Sequence, residues 1–514
     1  MRATLFFVGV VACVVIACGG GGGSNPDGGT NPDGGATNPD SGGQQDAALP
    51  PPPSSVCTVP ATAVDTSKPT TVVSDCSSDA ALRAAVAAGG IVTFSCGTAT
   101  IPISSEIPVA QDTTIDGGGK ITLDGQGKTR ILHITSAWNV ATPLLTVQNL
   151  TFENGFTSDV PNTTSTKEGG GAIFEDGGSL TVINCVFQHN TCASSGEDVS
   201  GGAINGQGVG TLIVVGSTFS DNSGSNGGGV GTQDENVTVT NCTFANNSAT
   251  GTGGNPGNGG NGGGLTYDGA HISLTLCGDT FTGNTSNAAG GAVFRVGYND
   301  QGGAPSVVTI DRSTFDSNQT DPNVGNAAGL YLEDVELTIT NTTISNNTGH
   351  YGGGLWAGQS DILDMQNVTI ANNTASGGGG IWFANQVTGT LLNCTIAGNT
   401  GDGLFGGDTG VALKDTIVAN NVRGTLDSTT NCAETHASGA PDIQYPQAGG
   451  KPCTSDATVA DPQLGPLQDN GGPVKTMMPA SGSPAIGAGQ SCSQTDAAGT
   501  TRPSACTLGA IEAK

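Results

Sequence analysis

Two short phrases recur along the chain and alternate strictly, one of each per repeat. The first is Phe or Ile, two variable residues, then Asn. It occurs at Phe187 and Asn190, Phe219 and Asn222, Phe244 and Asn247, Phe281 and Asn284, and Phe315 and Asn318. Ile344 and Asn347, Ile370 and Asn373, Ile396 and Asn399, and Ile417 and Asn420 continue it, with Phe152-Glu-Asn154 as a degenerate first copy. The second phrase is Gly-Gly and an apolar pair, as in Gly170-Gly-Ala-Ile173, Gly201-Gly-Ala-Ile204, Gly353-Gly-Leu-Trp356 and Gly379-Gly-Ile-Trp382. Repeats of 21 to 37 residues that hold short β-rich segments and Gly/Asn turns specify a solenoid of stacked coils. No repeat carries a helical pattern, which excludes leucine-rich, ankyrin and helical repeats. The shorter repeats cannot hold the four strands of a propeller blade. Stacking places the Phe and Ile positions in one interior column at about 4.8 Å per rung. The asparagines can then ladder amide to amide.

These phrases resemble the GGA[ILV] and FxxN repeats of the polymorphic outer-membrane protein family, and right-handed parallel β-helix proteins more broadly. The resemblance covers roughly residues 65–425 and implies an all-β fold, a right-handed parallel β-helix solenoid, whose domain is set at residues 57–425. Both ends look capped, as open solenoid edges require. Residues 78–88 read as a short helix with Ser77 or Ser78 as N-cap, apolar Ala81, Leu82, Ala85 and Val86, and Gly89-Gly90 as a stop. Residues 426–514 form a small C-terminal cap. There, Asp461-Pro-Gln-Leu-Gly-Pro-Leu-Gln-Asp-Asn-Gly-Gly472 and Gly482-Ser-Pro-Ala-Ile-Gly-Ala-Gly489 resemble the choice-of-anchor Q domain.

Residues 1–17 read as a signal peptide, with Arg2 ahead of an apolar run too short to span a bilayer. Val15-Ile16-Ala17-Cys18 resembles the lipobox of bacterial lipoproteins, which implies lipidation of Cys18 and a membrane anchor. Gly19 after the Cys implies, by the same resemblance, passage to the outer membrane and the cell surface. Residues 18–56 are dense in Gly, Pro, Asn and Asp and form a tether. The remaining 12 cysteines fit an oxidising compartment. Cys76 with Cys96, Cys432 with Cys453, and Cys492 with Cys506 are the expected pairs. Three cysteines lie before residue 100 and five between 185 and 394, so either a bridge joins these odd groups or free thiols remain.

Lys and Arg total 15 against 43 Asp and Glu, a net charge of -28, which repels phosphate backbones and excludes nucleic acid as a partner. Counted from the second Gly of the Gly-Gly phrase, the fourth position carries charges and reads as outward. Period-two alternation then turns the second position outward as well. Four consecutive rungs thereby show Tyr331, Trp356, Trp382 and Phe405 on one face. That face is either a strip on which pyranose rings pack or one covered by a loop or the C-terminal region.

The fourth position also sets Asp268, Arg295 and Glu333 on three successive rungs, the carboxylates roughly 9.5 Å apart, near the upper limit for an inverting glycosidase. Arg295 between them favours both charged forms, against a general acid. A lyase suits an Arg base better, with calcium held by carboxylates. Glu333, Asp334 and Glu336 are the candidate calcium ligands, and no other cofactor is expected. The plainer reading of these charges is a solvated salt-bridge ladder. The leading functional expectation is a lipid-anchored surface module for adhesion or binding, with glycans as partners. The rival is a polysaccharide lyase or other carbohydrate-active enzyme on the same scaffold.

Overall fold

The computed structural model describes residues 56–158, 165–254, 257–297, 305–358, 362–384, 386–406, 410–425, 430–447 and 451–513. Cys18, the signal segment and the tether up to residue 55 lie outside them. The chain is a right-handed parallel β-helix. One rung shows the pattern: strands Val230–Gln233, Asn236–Thr240, Thr243–Ala245 and Ser248–Ala249 follow one another around the coil. Asp234, Asn241 and Asn246 make the corners between them at φ of 57°, 54° and 56°. Asn and Asp tolerate this left-handed backbone better than other non-glycine residues, which is why the repeats are rich in them. Successive rungs pair in parallel, for example Val237 with Leu274 and Phe244 with Phe281. Among the described residues the rungs assemble an 11-stranded, a 4-stranded and a 26-stranded sheet, the last folded around a corner.

Phe152, Phe187, Phe219, Phe244, Phe281 and Phe315 stand in one file inside the coil, fully shielded from solvent. Their ring centroids are 4.5 to 5.1 Å apart and their planes within 16° of parallel. Ile344, Ile370, Ile396 and Val418 continue the file. Beside it runs an asparagine ladder from Asn190 to Asn431. Each amide nitrogen donates to the next rung's amide oxygen at 2.8 to 3.0 Å. The same nitrogen also donates to the main-chain carbonyl of the Phe or Ile on the preceding rung. The last copy differs from the sequence reading by one residue. Val418, not Ile417, sits under Ile396, and Asn421 joins the ladder while Asn420 forms a corner at φ 57°.

Parallel pairing continues past residue 425 through Ile443–Tyr445 and Thr458–Val459. At the other end the helix is Ala80–Ala88, starting two residues later than expected. Asp79 replaces Ser77 or Ser78 at its N-cap and uses its carboxylate to hold Arg83 and Ser104. Leu82, Ala85 and Val86 close the N-terminal core.

The two chain ends cover different stretches of one corner column. Val56 and Cys57 donate to Asn241 in mid-solenoid, and Cys57 is bonded to Cys277, 220 residues away. From there the chain runs back to the N-terminal end, meeting Gln148, Asp116 and Ile91 in turn. The C-terminal segment takes the rungs beyond. Lys475 accepts from Thr343, Thr495 from Asn367, and Ser491 donates to Asp415. Disulfides Cys76–Cys96, Cys432–Cys453 and Cys492–Cys506 tie the two ends locally. Cys185, Cys192, Cys242 and Cys394 are buried free thiols, and burial pushes all four up, Cys185 to about 12, so they are unreactive. Both readings of the odd cysteine groups therefore hold in part. The four disulfides mark an exported protein.

Candidate functional site

From Ile173 onward, each strand of the 11-stranded sheet follows a three-residue block, Gly-Gly-Ala or Gly-Gly-Gly in most rungs. The first residue after the block points inward. The inner file is Ile173, Ile204, Val230, Leu265, Val293, Leu330, Leu355, Ile381 and Leu404, all fully shielded. The next residue points outward, and in the C-terminal half it is always aromatic. Phe294, Tyr331, Trp356, Trp382 and Phe405 stack with centroids 5.1, 5.6, 5.2 and 4.2 Å apart. Phe294 is 5% exposed and the other four are half-buried. Tyr351 packs against Trp382 from the side, at 5.2 Å.

Sequence reasoning placed Tyr331, Trp356, Trp382 and Phe405 correctly on one column and missed Phe294. Counting from the second Gly misreads rungs whose block ends in Ala. It assigned Val293, Ile173 and Ile204 to the outer column, whereas Phe294, Phe174 and Asn205 occupy it. Counting from the first apolar residue after the block would have found the fifth ring.

The same slip explains what became of the charged trio. Arg295 is not outward: it pairs with Tyr267 and Leu332 in the second inward column, is fully buried, and its guanidinium lies 5.3 Å from the Tyr267 ring centroid. Asp268 is outward, but its neighbour on the next rung is Val296. Glu333 follows Leu332 on the rung beyond and accepts a hydrogen bond from the Tyr331 hydroxyl at 2.9 Å. The three therefore do not share one outward column, and Arg295 lies on the inner side of the sheet, away from a substrate on the outer face. Among the described residues, Glu333, Asp334 and Glu336 also form no set of ligand atoms within 4.8 Å of one another. Asp334 is a corner residue at φ 56° and Glu336 is exposed on the following strand. The sets that do meet this distance, Cys57 with Cys277 and Asp311, and Asp415 with Cys492 and Cys506, have disulfide sulfurs as members.

A cavity of about 310 Å³ adjoins the top of the ring file, lined among others by Asn261, Phe294, Val296, Asn326, Tyr331 and Glu333. Asp268 lies in a narrower cleft on the other side of Phe294, with Glu197 and Asp198. Burial pushes its carboxyl up to about 6. The Gly269 N–H and Arg295 oppose the shift, and Asp234 and Asp198 add to it. The arrangement offers a strip of aromatic edges along the solenoid axis, the ring faces being taken up by their neighbours, with hydrogen-bonding amides and a carboxylate at one end.

A family model described as a right-handed β-helix region matches residues 296–439, a stretch that carries four of the five rings. No curated protein matches the sequence. Three solved structures are similar at low identity. They are the periplasmic alginate epimerase AlgG (12% identity, TM-score 0.41, covering 66% of this chain and 76% of that one), the A-module of the Azotobacter vinelandii mannuronan C-5 epimerase AlgE6 (14%, 0.34, 74% and 95%), and PfbA, a surface adhesin of Streptococcus pneumoniae (12%, 0.32, 80% and 99%). At these values they say nothing about the ligand of the ring file.

Proposed function

We propose that this protein is a surface binding module for glycans, anchored to the outer membrane through a lipid on Cys18. The observation that carries the reading is the file of five stacked rings, four of them half-exposed. The rings stack face to face at the rung spacing, so a linear saccharide laid along the axis meets the apolar edge of an aromatic ring at every step. Large amphipathic rings provide contact area at low conformational cost. Asn261, Asn326 and Glu333 in the adjoining cavity supply partners for hydroxyl groups. The test is a tryptophan fluorescence titration of the purified chain with neutral and acidic polysaccharides, alongside Trp356→Ala and Trp382→Ala. Saturable shifts that both substitutions weaken support the reading. Unchanged spectra across the panel end it. Replacement of Cys18 by Ser should release the protein from the membrane fraction, and retention there would contradict the anchor.

Catalysis is the second reading, and Asp268 favours it: a carboxyl at about 6 beside the ring file is suited to proton transfer near neutral pH. An Asp268→Asn variant that binds saccharide normally and loses product release would support it. Absence of products from the wild type on every saccharide it binds would remove it.

A further inference from the structure

The N-terminal half of the 11-stranded sheet hides a second polar site, on the inside of the coil. Three consecutive rungs contribute. In the second inward column they place Glu175, Gly206 and Thr232, paired in that order. At the following corner they place Gly178, Gly210 and Glu235. The middle rung therefore has glycine at both positions, Gly206 and Gly210, where its neighbours carry side chains or close backbone. Glu175 from one side and Glu235 from the other fill the space this leaves. A Cβ on Gly206 would lie 2.1 Å from Glu235 Oε2 and 3.5 Å from Glu175 Oε2. A Cβ on Gly210 would lie 3.0 Å from Glu175 Oε1 and 1.9 Å from the Gly178 carbonyl oxygen. The two glycines are thus what allows the carboxyls to meet.

Both glutamates are fully shielded from solvent, and among the described residues the one group that reaches either carboxyl is the other carboxyl, to which it can hydrogen-bond only while one of them keeps a proton. The Thr232 hydroxyl, on a residue 2% exposed and stacked directly against Gly206, lacks a partner. Groups of this kind are not left bare in folded proteins, because an isolated buried carboxylate costs far more than a fold's net stability allows. Among the described residues no Lys, Arg or His acts on either carboxyl, although Arg130 and Arg295 are buried elsewhere in the same coil.

We propose that Glu175 and Glu235 hold a divalent cation inside the solenoid, of the hard, oxygen-preferring class to which Ca²⁺ belongs. Two carboxylates balance its charge. The donors are oxygens only, four from carboxylates and one from Thr232, with the Gly178 carbonyl alongside; such a set selects Ca²⁺ over softer metals. The cell is closed, so the ion enters while the coil is forming or transiently open, and leaves slowly. The site is unrelated to the outer ring file, and saccharide binding can fail without touching it.

The experiment uses the full chain, unfolded with chelator, refolded with or without Ca²⁺, then desalted through chelator-containing buffer. Bound calcium is counted by atomic emission and the thermal midpoint recorded. Wild type refolded with Ca²⁺ should retain one equivalent through the chelator and melt higher than the calcium-free preparation. The Glu175→Gln/Glu235→Gln variant should retain one equivalent fewer and lose that rise, and Thr232→Val should release the ion faster. Wild type alone suffices if the double variant does not fold: an equivalent surviving the chelator supports the site, and none surviving overturns it. Equal retention by wild type and the double variant also overturns it. A wild type that keeps no calcium, and whose midpoint falls with rising pH whether or not calcium is present, identifies a shared proton in place of a metal.

Discussion

Between Leu132 and Asp268, the 11-stranded sheet turns His133, Phe174, Asn205, Gly231 and Thr266 outward and Glu175, Gly206, Thr232 and Tyr267 inward. Between Val293 and Gly406 it turns five aromatic rings outward. Inward, beyond Arg295, stand Leu332, Ala357 and Phe383. One half buries polar groups and the other exposes aromatic ones, yet the strand register is continuous across both. The difference shows where the fold's stability resides. The Phe/Ile file and the asparagine ladder run on through both halves, the file passing from Phe315 to Ile344 without a break in register. The 11-stranded sheet is thereby released to carry different side chains in each half. The shared corner column is likewise covered by the strap from Cys57 in one half and by residues 475–510 in the other.

The largest effect should come from releasing that strap. Cys277→Ser opens a cross-link spanning 220 residues, and chain entropy puts its contribution at about 5 kcal/mol. Hydrogen exchange should then rise around residues 145–245 and stay unchanged around 355–420. Equal loss in both halves would mean that the strap does not act on its own half. Next, Asn247→Ala and Asn373→Ala should each cost about 3 kcal/mol, because each leaves a buried amide N–H and a carbonyl unpaired. Denaturant midpoints that differ widely between the two would break the claim that one ladder serves both halves.

A smaller effect follows from the buried acid pair. Burial and the facing carboxyl raise Glu175, and burial raises Glu235 to about 8. In calcium-free buffer the folded state therefore keeps a proton that the unfolded chain gives up above about pH 4.5. Stability from this pair is greatest near pH 4 and declines as pH rises toward about 8. Glu235→Gln should lessen the decline, gaining more than about 1 kcal/mol at pH 8 and nothing at pH 4, and the Glu175→Gln/Glu235→Gln variant should remove it. A pH-independent gain would mean that packing, not protonation, is at work. Smallest in stability is Trp356→Ala, which loses ring contacts on two sides and should cost about 1 kcal/mol. In saccharide affinity the same substitution should cost about tenfold.

The repeats were legible because their two phrases mark what every rung must share, a buried Phe or Ile and a laddered Asn. Phe187, Phe219 and Phe244 stand where that argument put them. Positions that vary from rung to rung were harder. Arg295 was placed outside because charge was taken as a sign of exposure, and a one-residue difference in the glycine block concealed the slip. Phe294 was lost for the same reason. Glu175, one of the charges that make the fourth position read as outward, is buried in the inward column through the same slip, and Glu235 gives no signal of its own. The only trace of their meeting is a pair of glycines, Gly206 and Gly210, in a chain where 85 of 514 residues are glycine. The Cys57–Cys277 bridge was open to sequence only as a parity argument, because its partners meet through a strap that runs against the direction of winding.

The central claim is that the outer ring file works as one continuous surface. A fluorescence titration with oligosaccharides of increasing length, from disaccharide upward, tests it directly. The account predicts affinity that climbs with each added sugar until the chain spans from Phe294 to Phe405, then levels off, with Trp382→Ala flattening the climb. Affinity independent of length, or Trp356 and Trp382 signals that no saccharide alters, would contradict it.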